Sequence, residues 1–184
     1  GVTTMPVYAF EGKRPKIASS AFVYPEATII GDVVIGEGCY IGPGARIRGD
    51  WGSVIVGANS NIQENCIIHS APNATTLLSE RSHIGHGSIL HGPFLEEHVE
   101  VGMGAIIMDN VKIGAGSCIG AGAVVIAGTI IPPRRLYIGV PAKDAGKITE
   151  ERARYMDYAT GVYIKLPPRC FQGLVQLDIE DVIV

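Results

Sequence analysis

Residues 29–47 read Ile29-Ile30-Gly31-Asp32-Val33-Val34-Ile35-Gly36-Glu37-Gly38-Cys39-Tyr40-Ile41-Gly42-Pro43-Gly44-Ala45-Arg46-Ile47. An isoleucine returns every sixth residue, at Ile29, Ile35, Ile41 and Ile47. An amphipathic helix repeats at about 3.6 residues and a half-buried strand at 2, so this pattern belongs to neither. Four residues after the aliphatic the side chain is usually small, as at Cys39 and Ala45. A large and a small inward position in each hexad fit a three-sided β-solenoid, in which three short strands make one coil and each coil buries its neighbour.

Working outward, the period starts at Ile17 and Val23. It slips by three residues around Trp51-Gly52-Ser53, resumes at Val56, Ile62 and Ile68, and meets an insertion over residues 69–77. It returns at Leu78, Ile84 and Leu90, loses one residue, and runs as Leu95, Val101, Ile107, Ile113, Ile119, Val125 and Ile131. The fold expected is an all-β solenoid, a left-handed parallel β-helix of hexapeptide repeats with a C-terminal α-helix. Residues 1–16 read as an N-terminal cap segment, 17–136 as the β-helix, and 137–184 as a helix and docked tail. Thr149 caps a helical stretch running to about Tyr158, with Glu150 and Glu151 in its first turn and Gly161 as its stop.

The 184 residues suit one domain with a sizeable core. A net charge of −3 gives no electrostatic basis for nucleic-acid binding. No apolar run reaches membrane-spanning length and no signal-peptide pattern opens the chain, so a cytoplasmic protein without a membrane partner is expected. Cys39, Cys66, Cys118 and Cys170 form no CxxC; Cys39 and Cys66 occupy the small core position.

Grouping the hexads in threes puts Ile47, Ile68, Leu90, Ile107 and Val125 on one face. The residues one further on, Arg48, His69, His91, Met108 and Ile126, then stack outward. Adjacent coils lie about 4.8 Å apart. His69 and His91 thus become neighbours, spaced for two nitrogens to meet one zinc ion. His86 lies two beyond Ile84 and turns away from that pair. It completes a three-histidine site only when a second subunit presents it, so a homotrimer with intersubunit metal sites is the simplest closed assembly. His98 and His83 are expected to be solvated or hydrogen-bonded surface groups.

The segments Asn61-Ile62-Gln63-Glu64-Asn65-Cys66-Ile67-Ile68-His69 and His83-Ile84-Gly85-His86-Gly87-Ser88-Ile89-Leu90-His91-Gly92, with Arg48-Gly49-Asp50, resemble the γ-class carbonic anhydrase family of hexapeptide-repeat proteins. Tyr8-Ala9-Phe10-Glu11-Gly12, Val101-Gly102-Met103 and the tail around Arg169-Cys170 are most similar to its phenylacetate-degradation and carnitine-operon subgroup. The resemblance implies metal ligands His69, His86 and His91, holding Zn2+, with iron or cobalt also suited to imidazoles. It implies that Gln63 hydrogen-bonds a metal-bound hydroxide. Arg48 and Asp50 match an ion pair beside the site that also orders the subunit contact. The implied activity is a zinc-dependent lyase attacking a small-molecule substrate, carbon dioxide, to give bicarbonate. An acyl-CoA thioesterase or acyltransferase, and a non-enzymatic accessory protein of a catabolic pathway, are the alternatives. Trp51 stands where such enzymes can carry a glutamate, and the segment Ser70–Arg81 offers only Glu80 as a carboxylate, with Glu64 outside it.

Overall fold

The computed structural model describes residues 6–183. It is a three-sided parallel β-solenoid with a helical C-terminus. On the first face Val7, Ile29, Ile47, Ile68, Leu90, Ile107 and Val125 stack in register. The second face stacks Ile17, Ile35, Val56, Leu78, Leu95, Ile113 and Ile131. The third stacks Val23, Ile41, Ile62, Ile84, Val101, Ile119 and Tyr137. Ile47, Ile68, Leu90 and Ile107 are at most 1 % exposed, so the six-residue period is the signature of a continuous core. Ala27, Cys39, Ala45, Cys66, Ala105 and Ala123 fill the positions near the corners, where a larger side chain would meet the coil above or below. Many corners need a residue at positive φ. Gly44, Asn65, Gly87, Gly104 and Gly122 supply it between the third and first faces, glycine and asparagine being the residues that tolerate that conformation.

The solenoid begins earlier than the cap assignment for residues 1–16, of which residues 1–5 lie outside the described part. Val7 and Tyr8 already pair with Ile29 and Ile30. The ten-residue step from Val7 to Ile17 hides the period, because the extra residues close a turn in which Phe10 and Lys13 exchange two 3.0 Å hydrogen bonds. The segment 69–77 is likewise no open loop. Ser70 Oγ donates to Ala74 O at 3.0 Å across a tight turn, and Thr75–Leu78 is a strand on the second face.

The last coil extends beyond residue 136, with Leu136 and Tyr137 on Cys118 and Ile119. An antiparallel strand, Lys143–Lys147, then covers the edge of Arg135–Ile138, removing the open rung that an uncapped solenoid would offer to another chain. Helix α1 spans Glu150–Ile164, with Thr149 Oγ1 accepting from Arg152 N at 3.1 Å. Gly161 does not stop it, since one glycine costs a helix only about 1 kcal/mol. The break comes at Lys165, ahead of Pro167 and Pro168, which occupy the first turn of α2 (Leu166–Gly173), where no N–H is needed. Met156 of α1 is buried with Cys118 and Ile148 against the third face, and Phe171 of α2 packs edge-on to Phe22 at 5.1 Å. The tail beyond Gly173 is exposed, with one short 3-10 turn at Ile179–Asp181. No helix among the described residues is long and apolar enough to cross a membrane.

Candidate active site

His69 and His91 end neighbouring strands of the first face, paired through their Cα positions. Their rings stand 5.0 Å apart between centroids, at 63°. Each is held by a carboxylate. Asp50 Oδ1 lies 3.0 Å from His69 Nε2, and Arg48 donates to Asp50 Oδ2 at 2.7 Å. Partial desolvation pushes the Asp50 carboxyl up, but hydrogen bonds from His69 and Arg48 outweigh it and hold the group below its ordinary value. Asp109 Oδ1 lies 2.7 Å from His91 Nδ1. The two carboxylates engage opposite ring positions, leaving His69 Nδ1 and His91 Nε2 for other partners.

His86 sits elsewhere, on the corner between the third and first faces, in contact with Glu64. Glu64 also accepts from the Tyr40 hydroxyl at 3.0 Å. Gln63, beside it, is buried; its Nε2 lies 2.9 Å from both Asn61 Oδ1 and His83 Nε2. His83, expected as a surface group, is largely buried beneath α1. Burial first, and then electrostatic repulsion from His86, His98 and Arg152, push its pKa down to about 4. His98 occupies a corner at φ 55°, with Nε2 3.7 Å from Asp157 Oδ1.

One chain therefore carries two candidate half-sites on opposite borders of its first face. One holds Arg48, Asp50, His69, His91 and Asp109; the other holds Gln63, Glu64, His83 and His86. Among the described residues no three metal-binding side chains converge within a chain. Between the half-sites the outer row of the face is apolar and exposed, with Ile67, Ile89 and Ile106 in register and Met108 and Ile126 beside them. Such a strip suits packing against another subunit.

Two pairings of the candidate site escaped sequence reading, those of Asp109 with His91 and of Glu64 with His86. Asp109 lies two residues beyond Ile107, but the turn from Leu90 to Leu95 is one residue short, and this brings Asp109 against His91. Glu64 falls in phase with His86 one coil away, a spacing that could have flagged the pair. Glu80 lies apart from both candidate half-sites of its own chain, on the corner between the second and third faces, near Glu96 and Glu97.

A family model described as bacterial transferase hexapeptide (six repeats) matches residues 14–49 and 92–127. The Escherichia coli K12 carnitine operon protein CaiE is 42 % identical over 170 residues, covering 92 % of this chain and 87 % of its own. The chain belongs to the hexapeptide-repeat transferase family. Within it the carnitine operon proteins are close relatives, another from Proteus being 41 % identical over 94 % of this chain and 87 % of its own. A hexapeptide transferase family protein from Anaplasma phagocytophilum superposes with a TM-score of 0.86 at 35 % identity, covering 89 % of this chain and 97 % of that one. Hexapeptide β-solenoids of this family commonly assemble as trimers.

Proposed function

We propose that the chain acts on acyl-CoA thioesters, at a site that joins the His69/His91 half of one subunit to the Gln63/His86 half of another. The observation that carries this reading is the His91–Asp109 dyad. Asp109 accepts the Nδ1 hydrogen at 2.7 Å, which fixes the neutral tautomer with its lone pair on Nε2. That nitrogen can take the proton of an attacking O–H or N–H as the nucleophile adds to the thioester carbonyl. When the C–S bond breaks, the same proton passes to the departing CoA thiolate, so the base is regenerated. Asp50 and Arg48 fix His69 alongside. The transferase descriptions of the matched family and of the Anaplasma relative support group transfer in general, and the His91–Asp109 dyad supplies the thioester reading.

The test is release of free CoA, read with a thiol reagent, from a panel of acyl-CoA esters with and without amine and alcohol acceptors. CoA release that His91→Ala abolishes is expected. A correctly assembled protein that releases none from any member refutes the reading.

One further observation favours a second reading. His69 and His91 each leave one ring nitrogen unclaimed while a carboxylate holds the other, the arrangement typical of metal-bound histidines. The donor set fits zinc, with His86 of a second copy as the third imidazole. A zinc ion held there would supply a water with its pKa lowered to about 7, suited to hydrating carbon dioxide. Carbon dioxide hydration by zinc-loaded protein, lost on chelation while CoA release is absent, selects this reading over the first.

A further inference from the structure

Trp51 is the only tryptophan of the chain, and it is 63 % exposed at the edge between the first and second faces. Its backbone is fixed from both sides. Trp51 N donates to Asp50 Oδ1 at 3.0 Å, the same oxygen that contacts His69, and Trp51 O accepts from Asn73 N at 3.3 Å. The 70–74 turn packs so closely on the next residue, Gly52, that a Cβ there would lie 2.3 Å from Ala74 O. A large apolar ring is thus held in place beside the His69/His91 half-site and left mostly uncovered by its own chain. A tryptophan presented this way suits a pocket on another molecule.

Coil height says what it meets. A threefold axis along the solenoid turns one subunit onto the next without shifting it along the axis, so each coil meets the same coil of its neighbour. His86 satisfies this condition: it lies between Ile84 and Leu90, so its level falls between the rungs of His69 and His91. Trp51 and Gln63 both lie between Ile47 and Ile68, on one coil, and differ in level by less than one rise of about 4.8 Å. Helix α1 crosses that coil at Val162 and Tyr163, because the Tyr163 ring is 5.5 Å from Tyr40 and 5.3 Å from His83, the rungs on either side of Asn61. Val162 is 44 % exposed and borders, with Gln63 and His86, a cavity of about 500 Å3 beneath the helix.

We propose that Trp51 of one subunit seats against Val162 on helix α1 of the adjoining subunit and closes this cavity, which then takes the apolar part of an acyl group. The rest of the lining agrees. Met103, Tyr155 and Tyr158 are exposed apolar walls, and the two charges of the floor, Glu100 and Arg152, are paired with each other. Without the indole the cavity is open on the side that faces the neighbour. With it, an apolar chain entering beside His86 leaves water on every side. The inference rests on the two-subunit thioester reading and adds its specificity: the carbonyl is attacked near His91 Nε2, and the chain beyond it runs under α1 beside Trp51.

The first test needs no turnover. The full chain carrying Trp51→Cys and Val162→Cys together, treated with a short bis-methanethiosulfonate linker, should give dimer and trimer bands on non-reducing gels, and each single variant should not. The four native cysteines are buried and stay out of the reaction. Within one chain the two positions cannot be bridged, because the edge that carries Trp51 lies opposite the face that α1 covers. His86→Cys with His91→Cys is the companion pair. If the companion pair links and the Trp51/Val162 pair does not, the contact is wrong and the two-subunit site stands; if neither links, both fall. The second test uses Trp51 as its own probe. In the assembled protein its emission should lie to the blue of an exposed indole and resist iodide, and Val162→Asp should reverse both. Octanoyl-CoA should shift the emission and free CoA should not. An emission typical of exposed indole, or an equal response to octanoyl-CoA and CoA, overturns the proposal. Trp51→Ala should raise KM for octanoyl-CoA about tenfold, and more than for acetyl-CoA. A protein that turns over no thioester while Trp51 still answers to octanoyl-CoA refutes the chemistry and keeps the binding site.

Discussion

Gly49→Ala should cost far more than an added methyl usually does. Gly49 pairs with Gly31 on the neighbouring coil, and a Cβ built on it would lie 2.3 Å from Asp32 O and 2.8 Å from Asp32 C. Both obstructing atoms are backbone, so no side chain can swing aside. An ordinary C···O contact is about 3.3–3.6 Å, which demands that the coils separate locally by about 1 Å. Such a shift stretches two interstrand hydrogen bonds past useful length, at about 1 kcal/mol each, on top of about 1–3 kcal/mol of overpacking. A loss of about 3–5 kcal/mol follows, which at 2–4 °C per kcal/mol for a chain of this size lowers the melting temperature by about 10 °C. Asp50 is the next residue, so its 3.0 Å contact with His69 should loosen as well. The matched control is Gly161→Ala, inside α1 with nothing within 4 Å of its Cβ, which should gain about 0.5–1 kcal/mol. Thermal melts at one fixed protein concentration, with His69 followed by NMR, make the comparison. If Gly49→Ala melts within 2 °C of the unaltered protein and leaves the His69 signals in place, the close-approach argument is wrong.

Asp109→Asn should leave stability nearly unchanged but release the His91 tautomer, lowering CoA release about tenfold or more; equal kcat would remove Asp109 from the site. Arg152→Met strands the buried Glu100 carboxylate, whose Oε2 already lacks a partner, and should cost about 3–5 kcal/mol in denaturant melts, with Glu100→Gln added to it restoring much of the loss. His83 binds its proton less well folded than unfolded, so its contribution to stability is complete above pH 6.5 and declines as the pH falls toward about 4. The drop should approach 3 kcal/mol at about 1.4 kcal/mol per pH unit, and His83→Phe should flatten urea stability over that window.

The fold was legible because a solenoid writes its core into the sequence at a fixed interval. Ile47, Ile68, Leu90, Ile107 and Val125 stack as their spacing requires. The same register put His69 beside His91 and His86 on a different corner. The first coil was hidden because Val7 and Ile17 are ten residues apart, which no period-six reading connects. Asp109 and His83 were illegible for another reason. Their roles depend on which way a side chain turns at a corner, and on what α1 covers, and neither is set by interval alone. His83 has the phase of a solvent-facing residue; α1, with Tyr163 edge-on to its ring, leaves it only part-exposed.

The breaks in the period explain where the residues of the candidate site sit. The steps from Val7 to Ile17, Ile47 to Val56, Ile68 to Leu78 and Leu90 to Leu95 are ten, nine, ten and five residues, and all cross the same edge, between the first and second faces. On each of these coils the rung on either side of the edge returns to register, so the irregularity costs the core nothing. An edge relieved of strict periodicity is the place where such a prism can vary its residues and aim its side chains. Asp50 comes from the first of these added segments that borders a histidine, and the five-residue step brings Asp109 onto His91. The other half-site shows the opposite case. Gln63 and His86 lie on a corner where every step is six residues, and there the freedom comes from outside the repeat, in the helix α1 that closes over His83. On the proposed two-subunit reading, one half of the site comes from an irregular edge and the other from a regular corner closed by an appended helix, and a second copy of the chain brings them together.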